Sequence, residues 1–255
     1  MNFFYRVSAI FAVQMPNVPT SDVYYKYCDR FLSAPITAAL SFTPLTPNMA
    51  TLSMFFLGFI GALYFSFGSA IDFIFGGLCF VGLIIADTVD GELARFHKMS
   101  SNFGEYLDKL AHYSTNSLMY IGLGLGIYST YQEIIIIYIS CFVMVCHLID
   151  QVSRDLLVSC GLAEKNHTKG SRDGPLSVMN GSRIRVVVWN TASHAAFFHI
   201  IVLSALLDIA ISKVFLLESD LIITHSYILY LSLIHISEPT RQAEISYAVL
   251  WLKKK

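Results

Sequence analysis

Apolar residues run along this chain in long blocks, not in the alternation of a strand or the narrow stripe of a soluble helix. A helix needs roughly 20 apolar residues to cross the hydrocarbon core of a bilayer. Five blocks meet that length: Met49–Phe67, Ile71–Asp90, Leu107–Tyr128, Ile134–Val152 and Val186–Leu207. A sixth begins near Leu221. The polar breaks between them are short, except for the Gly-, Ser-, Asn- and Asp-containing stretch Gly161–Arg185. The pattern predicts an all-α polytopic membrane protein, a bundle of six transmembrane helices, with no repeat and no separate soluble domain. Ahead of the first block, Tyr24–Leu45 carries Pro35 and Pro44 and reads as an interfacial helix, with a plain tether as the alternative. The chain therefore divides into an N-terminal cytoplasmic and interfacial segment (1–45), a membrane domain (46–230) and a tail (231–255).

Composition agrees. Of 255 residues, 55% are hydrophobic and only 14% charged, against about a quarter charged in a soluble domain. The net charge of −1, from 17 basic and 18 acidic residues, carries no nucleic-acid footprint. Basic residues sort the orientation. Arg6, Lys26 and Arg30 precede the first block, and Arg95, Lys98 and Lys109 lie around the connection between the second and third. Arg154, Lys165, Lys169, Arg172, Arg183 and Arg185 lie between the fourth and fifth. All fall on one side, which predicts a cytoplasmic N-terminus and cytoplasmic basic loops in a cell-membrane protein. The five cysteines form no CxxC pair and read as packing residues without disulfides. Val7–Val13 is too short, and too quickly followed by Gln14 and Pro16, for a signal peptide. The tail, LSLIHISEPTRQAEISYAVLWLKKK, resembles the translation of a sequencing-library adapter followed by a poly-A run, and is expected to be foreign sequence.

Chemistry concentrates at one place. The second block ends in Asp87-Thr-Val-Asp90-Gly91-Glu-Leu-Ala94-Arg95, and after eight residues comes Gly104-Glu-Tyr-Leu-Asp108-Lys-Leu-Ala-His112. Asp87 and Asp90, three apart, share a helix face, as do Gly104, Asp108 and His112, four apart. The short connection predicts antiparallel neighbours whose metal-capable side chains meet near the membrane surface. Carboxylates held that close repel and are costly beside lipid unless neutralised. Mg²⁺ shared between carboxylates and a pyrophosphate would neutralise them. Gly91, Ala94 and Gly104 remove bulk where a nucleotide could approach, and Arg95 could balance phosphate charge. An internal ion-pair network or a transporter's proton path is the bland alternative.

The pattern DxxDGxxAR(x8)GxxxDxxxD resembles the signature of the CDP-alcohol phosphotransferases, matched here at Asp87, Asp90, Gly91, Ala94, Arg95, Gly104 and Asp108. Pro47-Asn48-Met-Ala-Thr51 is similar to the family's PNxxT element, and the likeness covers roughly Tyr24 to Tyr230. Arg30-Phe-Leu-Ser-Ala-Pro-Ile-Thr followed by Leu45-Thr-Pro-Asn48 is similar to the branch acting on inositol phosphates. The resemblance implies a six-helix membrane transferase with a cytoplasmic active site, in phospholipid or polyol-phosphate synthesis. In it, an alcohol attacks the phosphorus of a CDP-activated donor and CMP leaves. It implies two Mg²⁺ or Mn²⁺ ions on Asp87, Asp90, Asp108 and the next signature position, and CDP on Gly91, Ala94, Arg95 and Gly104. Family members are often dimers. In related enzymes basic residues at the level of Arg183 and Arg185 hold an acceptor phosphate; ordinary positive-inside flanking also explains that pair.

The chain departs from the pattern at the fourth aspartate, the family's general base, where it has His112. His112 could be the base and a metal ligand. Alternatively another residue (His147, Asp150 or His194) supplies the base. In the third reading the chain is a catalytically inactive member that binds the nucleotide or serves as a membrane assembly partner. Asp150 and Arg154 read as a structural i, i+4 pair, His194 and His199 as core histidines, and Trp189 as an interfacial aromatic. Gly122, Gly124 and Gly126 offer surfaces for close helix packing.

Overall fold

The computed structural model describes residues 3–14, 30–160 and 194–215 together with Ser226. Among these residues there are seven helices and no strand: α1 (Phe3–Gln14), α2 (Arg30–Leu40), α3 (Pro47–Phe67), α4 (Ala70–His97), α5 (Asn102–Tyr131), α6 (Ile135–Ser159) and α7 (His194–Phe215). The fold is all-α, as the blocks predict. The first four blocks lie on α3 to α6 and the fifth overlaps α7. Residues 186–193, the 161–185 loop with Arg183 and Arg185, Trp189, Cys28, the sixth block apart from Ser226, and the tail lie outside the described residues.

Local chemistry sets the helix ends. Pro47 stands in the first turn of α3, where its missing N–H costs nothing. Gly68 closes the helix at φ +81°, in the left-handed region. The next residue, Ser69, caps α4 by accepting from the Asp72 N–H at 3.2 Å. Lys98 closes α4 at φ 55°, and Ser101 caps α5 by accepting from the Gly104 N–H at 3.0 Å. The connection between the signature halves is thus only 98–101, with both ends capped.

Among the described residues three helices, α3, α4 and α6, are long and apolar enough to cross a membrane. With 30 residues α5 is longer than any of them, but its first half carries Glu105, Asp108, Lys109, His112, Asn116 and four hydroxyl residues. The apolar part of α7, Phe197–Ile211, is shorter. Large side chains such as Phe56, Phe59, Phe75, Leu78, Tyr138 and Phe142 are exposed, as expected of helices facing lipid.

The core gathers on α3. Phe65 stacks on Phe80 with ring centroids 5.4 Å apart, and Phe80 on Phe198 at 4.7 Å, joining α3, α4 and α7. On its other side α3 meets α5 backbone to backbone: a methyl at Gly122 would strike the Ala62 carbonyl, and one at Gly126 the Phe65 carbonyl. Gly124, between them, faces Ser140 of α6 instead. The glycine triplet therefore serves close packing on two sides.

One expectation needs correction. The short connection suggested that α4 and α5 pack along each other as antiparallel neighbours. Instead each packs chiefly on α3, and α4 and α5 are linked by the polar contact of His112 with Asp87. The small residues that allow a close approach, Gly58 and Gly61 on α3 and Gly76 and Gly122 on its partners, all lie at contacts made with α3. Helix α2 falls within the segment expected to be helical, and α1 was not anticipated. The two pack together through Ile10, Ala34 and Ala38, with Val7 and Phe96 against them. Arg6 donates to the Ser41 carbonyl at 2.7 Å and hydroxyl at 2.6 Å, its guanidinium 3.8 Å from the centre of the Phe42 ring.

Candidate metal and nucleotide site

Asp87 on α4 and Asp108 and His112 on α5 converge: one ligand atom from each lies within 4.8 Å of the others. His112 Nε2 sits between the two carboxylates, 3.2 Å from Asp87 Oδ1 and 3.4 Å from Asp108 Oδ1. All three side chains are about one-third exposed, so the cluster is reached from outside the protein. Asp108 Oδ1 is itself buried and accepts no hydrogen bond, leaving the nearby imidazole as its compensation. Two carboxylate oxygens and an imidazole nitrogen make a donor set that fits Mg²⁺ or, with the nitrogen, Mn²⁺.

Asp90 is not in this cluster. Three residues along a helix turn a side chain by about 60° relative to Asp87, and Asp90 points to α3, where the Thr51 hydroxyl donates to its Oδ2 at 2.6 Å. It is only 8% exposed and remains within electrostatic reach of Asp87, Asp108 and His112. The structure thus brings together three of the four expected ligands and gives the fourth a hydroxyl partner.

The small residues have local reasons. A methyl at Gly91 would lie 3.2 Å from Arg95 Nη2, so its absence lets the exposed guanidinium fold back along α4 over Gly91. A methyl at Gly104 would lie 3.2 Å from Asn48 Oδ1, so the first turn of α5 stands against the start of α3. Ala94 is half-buried one turn beyond Asp90. The PNxxT element therefore touches both signature halves, Asn48 at Gly104 and Thr51 at Asp90.

Glu92, which the sequence pattern does not single out, ties α4 to α2. It is 1% exposed, and it accepts from Ser33 Oγ at 3.1 Å and Thr37 Oγ1 at 2.6 Å, both on α2. The available signal was two hydroxyl residues four apart in an otherwise apolar helix. Between α2, α3 and α4 lies an apolar cavity of about 240 Å³, lined by Ile36, Leu40, Met49, Ile85 and Val89 among others. It opens beside the residues that flank Asp87 and Asp90.

The alternative bases stand apart. His147 is buried on α6 with its ring edge against Tyr120, 5.5 Å between centroids. Tyr120 lies two turns, about 12 Å, beyond His112 along α5. Asp150 pairs with Arg154 at 2.9 Å, as its spacing predicts. The side chain of His194 lies outside the described residues, and His199 is half-buried on α7. Cys79, Cys141, Cys146 and Cys160 form no disulfide among the described residues.

A membrane-type helical bundle with a carboxylate–imidazole cluster between two helices joined by a short capped turn defines the class: an integral membrane protein with a candidate cation site between its helices. The family model for CDP-alcohol phosphatidyltransferase matches residues 44–217, well over half of the chain, and the protein belongs to that family. No curated protein matches the chain. The family transfers a phosphoryl-alcohol group from a CDP-alcohol to an alcohol acceptor and uses divalent metal ions.

Proposed function

We propose that this chain is a metal-dependent transferase that moves a phosphatidyl or related phosphoryl-alcohol group from a CDP-activated donor to an alcohol and releases CMP. The observation that carries the reading is the convergence of Asp87, Asp108 and His112 within 4.8 Å, at the signature of a family that needs divalent ions. Asp87, Asp108 and His112, with Asp90 alongside, hold Mg²⁺ or Mn²⁺, two ions in all. Bound there, the ions would offset charge on the pyrophosphate of the donor. Gly91, Ala94, Arg95 and Gly104 receive the CDP moiety: the glycines keep the backbone open and Arg95 meets phosphate. Arg183 and Arg185 are assigned to the acceptor phosphate. His112 takes the proton of the attacking hydroxyl on its one basic nitrogen, which requires that nitrogen to be free of metal as well as of the carboxylates that now flank it, so in this step the aspartates alone would hold the ions. The apolar cavity beside Val89 supports a lipid on one of the two substrates. The basic connections support a cytoplasmic site in a cell membrane, with α2 at the interface and six spans in residues 46–230. The products belong to phospholipid or polyol-phosphate synthesis.

The test is metal-dependent CMP release by the chain in membranes. CDP-diacylglycerol, CDP-inositol and CDP-choline are offered, each with a panel of alcohols. Release that needs both metal and Asp87 supports the reading, and His112→Asp is expected to retain or raise it. If His112→Ala leaves release untouched, His112 is not the base. The position of His112 Nε2 between two carboxylates favours one second reading, a silent member that binds CDP-nucleotide in the membrane. It predicts metal-dependent CDP binding and no CMP from any pair.

A further inference from the structure

Lys109 and Tyr113 stand one residue after Asp108 and His112 on α5. The two pairs therefore run as adjoining stripes, each spaced by four and offset by about 100° around the helix. One stripe meets Asp87 on α4. The other meets α6, where Asp155 uses both oxygens: Oδ2 accepts from the Tyr113 hydroxyl, and Oδ1 lies 3.3 Å from Lys109 Nζ. Lys109 also pairs with Glu105 at 3.5 Å, one turn earlier on its own helix. An ion pair as exposed as Lys109–Asp155, about one-third on each side, contributes little by itself. The tyrosine bond adds direction, because two contacts one turn apart on a single carboxylate fix the rotation of α5 about its axis. Any rotation that carried Asp108 and His112 off Asp87 would break both.

We infer that Asp155 is a positioning residue for the candidate metal site, acting through Lys109 and Tyr113 to aim Asp108 and His112 at Asp87. The inference rests on reading those three residues as metal ligands. It also assigns α6 a role, since few of its side chains are buried and it holds none of the signature residues. Outer partners that orient metal ligands are commonly worth a factor of ten or more in affinity.

Mn²⁺ titrated into the purified full chain without nucleotide, with free Mn²⁺ counted by paramagnetic resonance, tests this independently of turnover. Tyr113→Phe, which removes one oxygen and no charge, and Asp155→Asn, which breaks the ion pair, are each expected to weaken Mn²⁺ binding by about tenfold. Their metal-free melting temperatures should stay at the level of the unmodified chain. Glu105→Gln removes the same charge from beside the same lysine within α5 and should leave the affinity unchanged. The inference is overturned if Tyr113→Phe and Asp155→Asn bind Mn²⁺ like the unmodified chain while Asp87→Asn does not bind. It is equally overturned if Glu105→Gln loses as much affinity as Asp155→Asn, or if every loss tracks a fall in melting temperature. If the unmodified chain itself takes up no Mn²⁺, the metal reading fails first and takes this inference with it.

Discussion

The second half of α4 presents acids on two sides, and the two sides are built differently. Toward α2 and α3, Asp90 and Glu92 are buried and supplied with hydroxyl donors: Thr51 for one, Ser33 and Thr37 for the other. Toward α5, Asp87 faces Asp108 across His112, a third exposed, with one Asp108 oxygen accepting no hydrogen bond. Buried carboxylates are normally matched with donors, because an unmatched one near lipid is costly. The α2 side follows that rule and so holds helices together. The α5 side is more open and its carboxylates share a single imidazole, which leaves oxygens that a cation could take. Carboxylates on one helix thus differ by the partners facing them: hydroxyl donors that tie helices together, or an open face that the proposed reading gives to a cation.

The comparison can be broken by substitution. The largest effect is expected for Asp87→Asn. CMP release should fall by more than the roughly hundredfold that loss of an outer-shell partner costs, with no loss of metal-free thermal stability, since one repelling charge is gone. A fall in metal-free melting temperature would move Asp87 among the carboxylates that tie helices together. Glu92→Ala should do the reverse. It strands two buried hydroxyls and costs about 3 kcal/mol, measured by thermal unfolding in detergent, while Mn²⁺ affinity measured below the transition is kept. Thr51→Val sharpens the boundary, because Asp90 lies near both groups. The expected cost is about 2 kcal/mol, and a simultaneous drop in Mn²⁺ affinity would show that this tie also tunes the proposed ligands. Ser33→Ala should be the mildest, at about 1 kcal/mol, because Thr37 still serves Glu92. A cost equal to that of Glu92→Ala would mean that Ser33 is the main tie.

Much of this was legible in the sequence. Aspartates spaced by three and four at the end of one apolar block and the start of the next point to a charged cluster near a membrane surface, and Asp87, Asp108 and His112 do converge. The divergent turn of Asp90 was implicit in helix geometry, since residues three apart share a face only loosely. Glu92 was hidden because a carboxylate in a polar turn looks solvated until α2, distant in sequence, is found on top of it. That α4 and α5 both lean on α3 could not be read from a four-residue connection. Loop length fixes where two helix ends lie, and the packing of small residues along their length decides which neighbour each adopts. The PNxxT element was visible as a motif, but its meaning needed the fold: it is the part of α3 that touches both signature halves.

The glycines of α5 have a further consequence. At Gly122 and Gly126 the backbones of α3 and α5 touch with no side chain between them, so these two helices behave as one stiff beam. His112 stands ten residues, about 15 Å, from Gly122 on that beam. A single methyl inserted at the contact would act as a wedge under a lever and swing the end that carries Asp108 and His112. The spacing of the cluster is therefore set partly from a distance along the helices, by residues outside the candidate site.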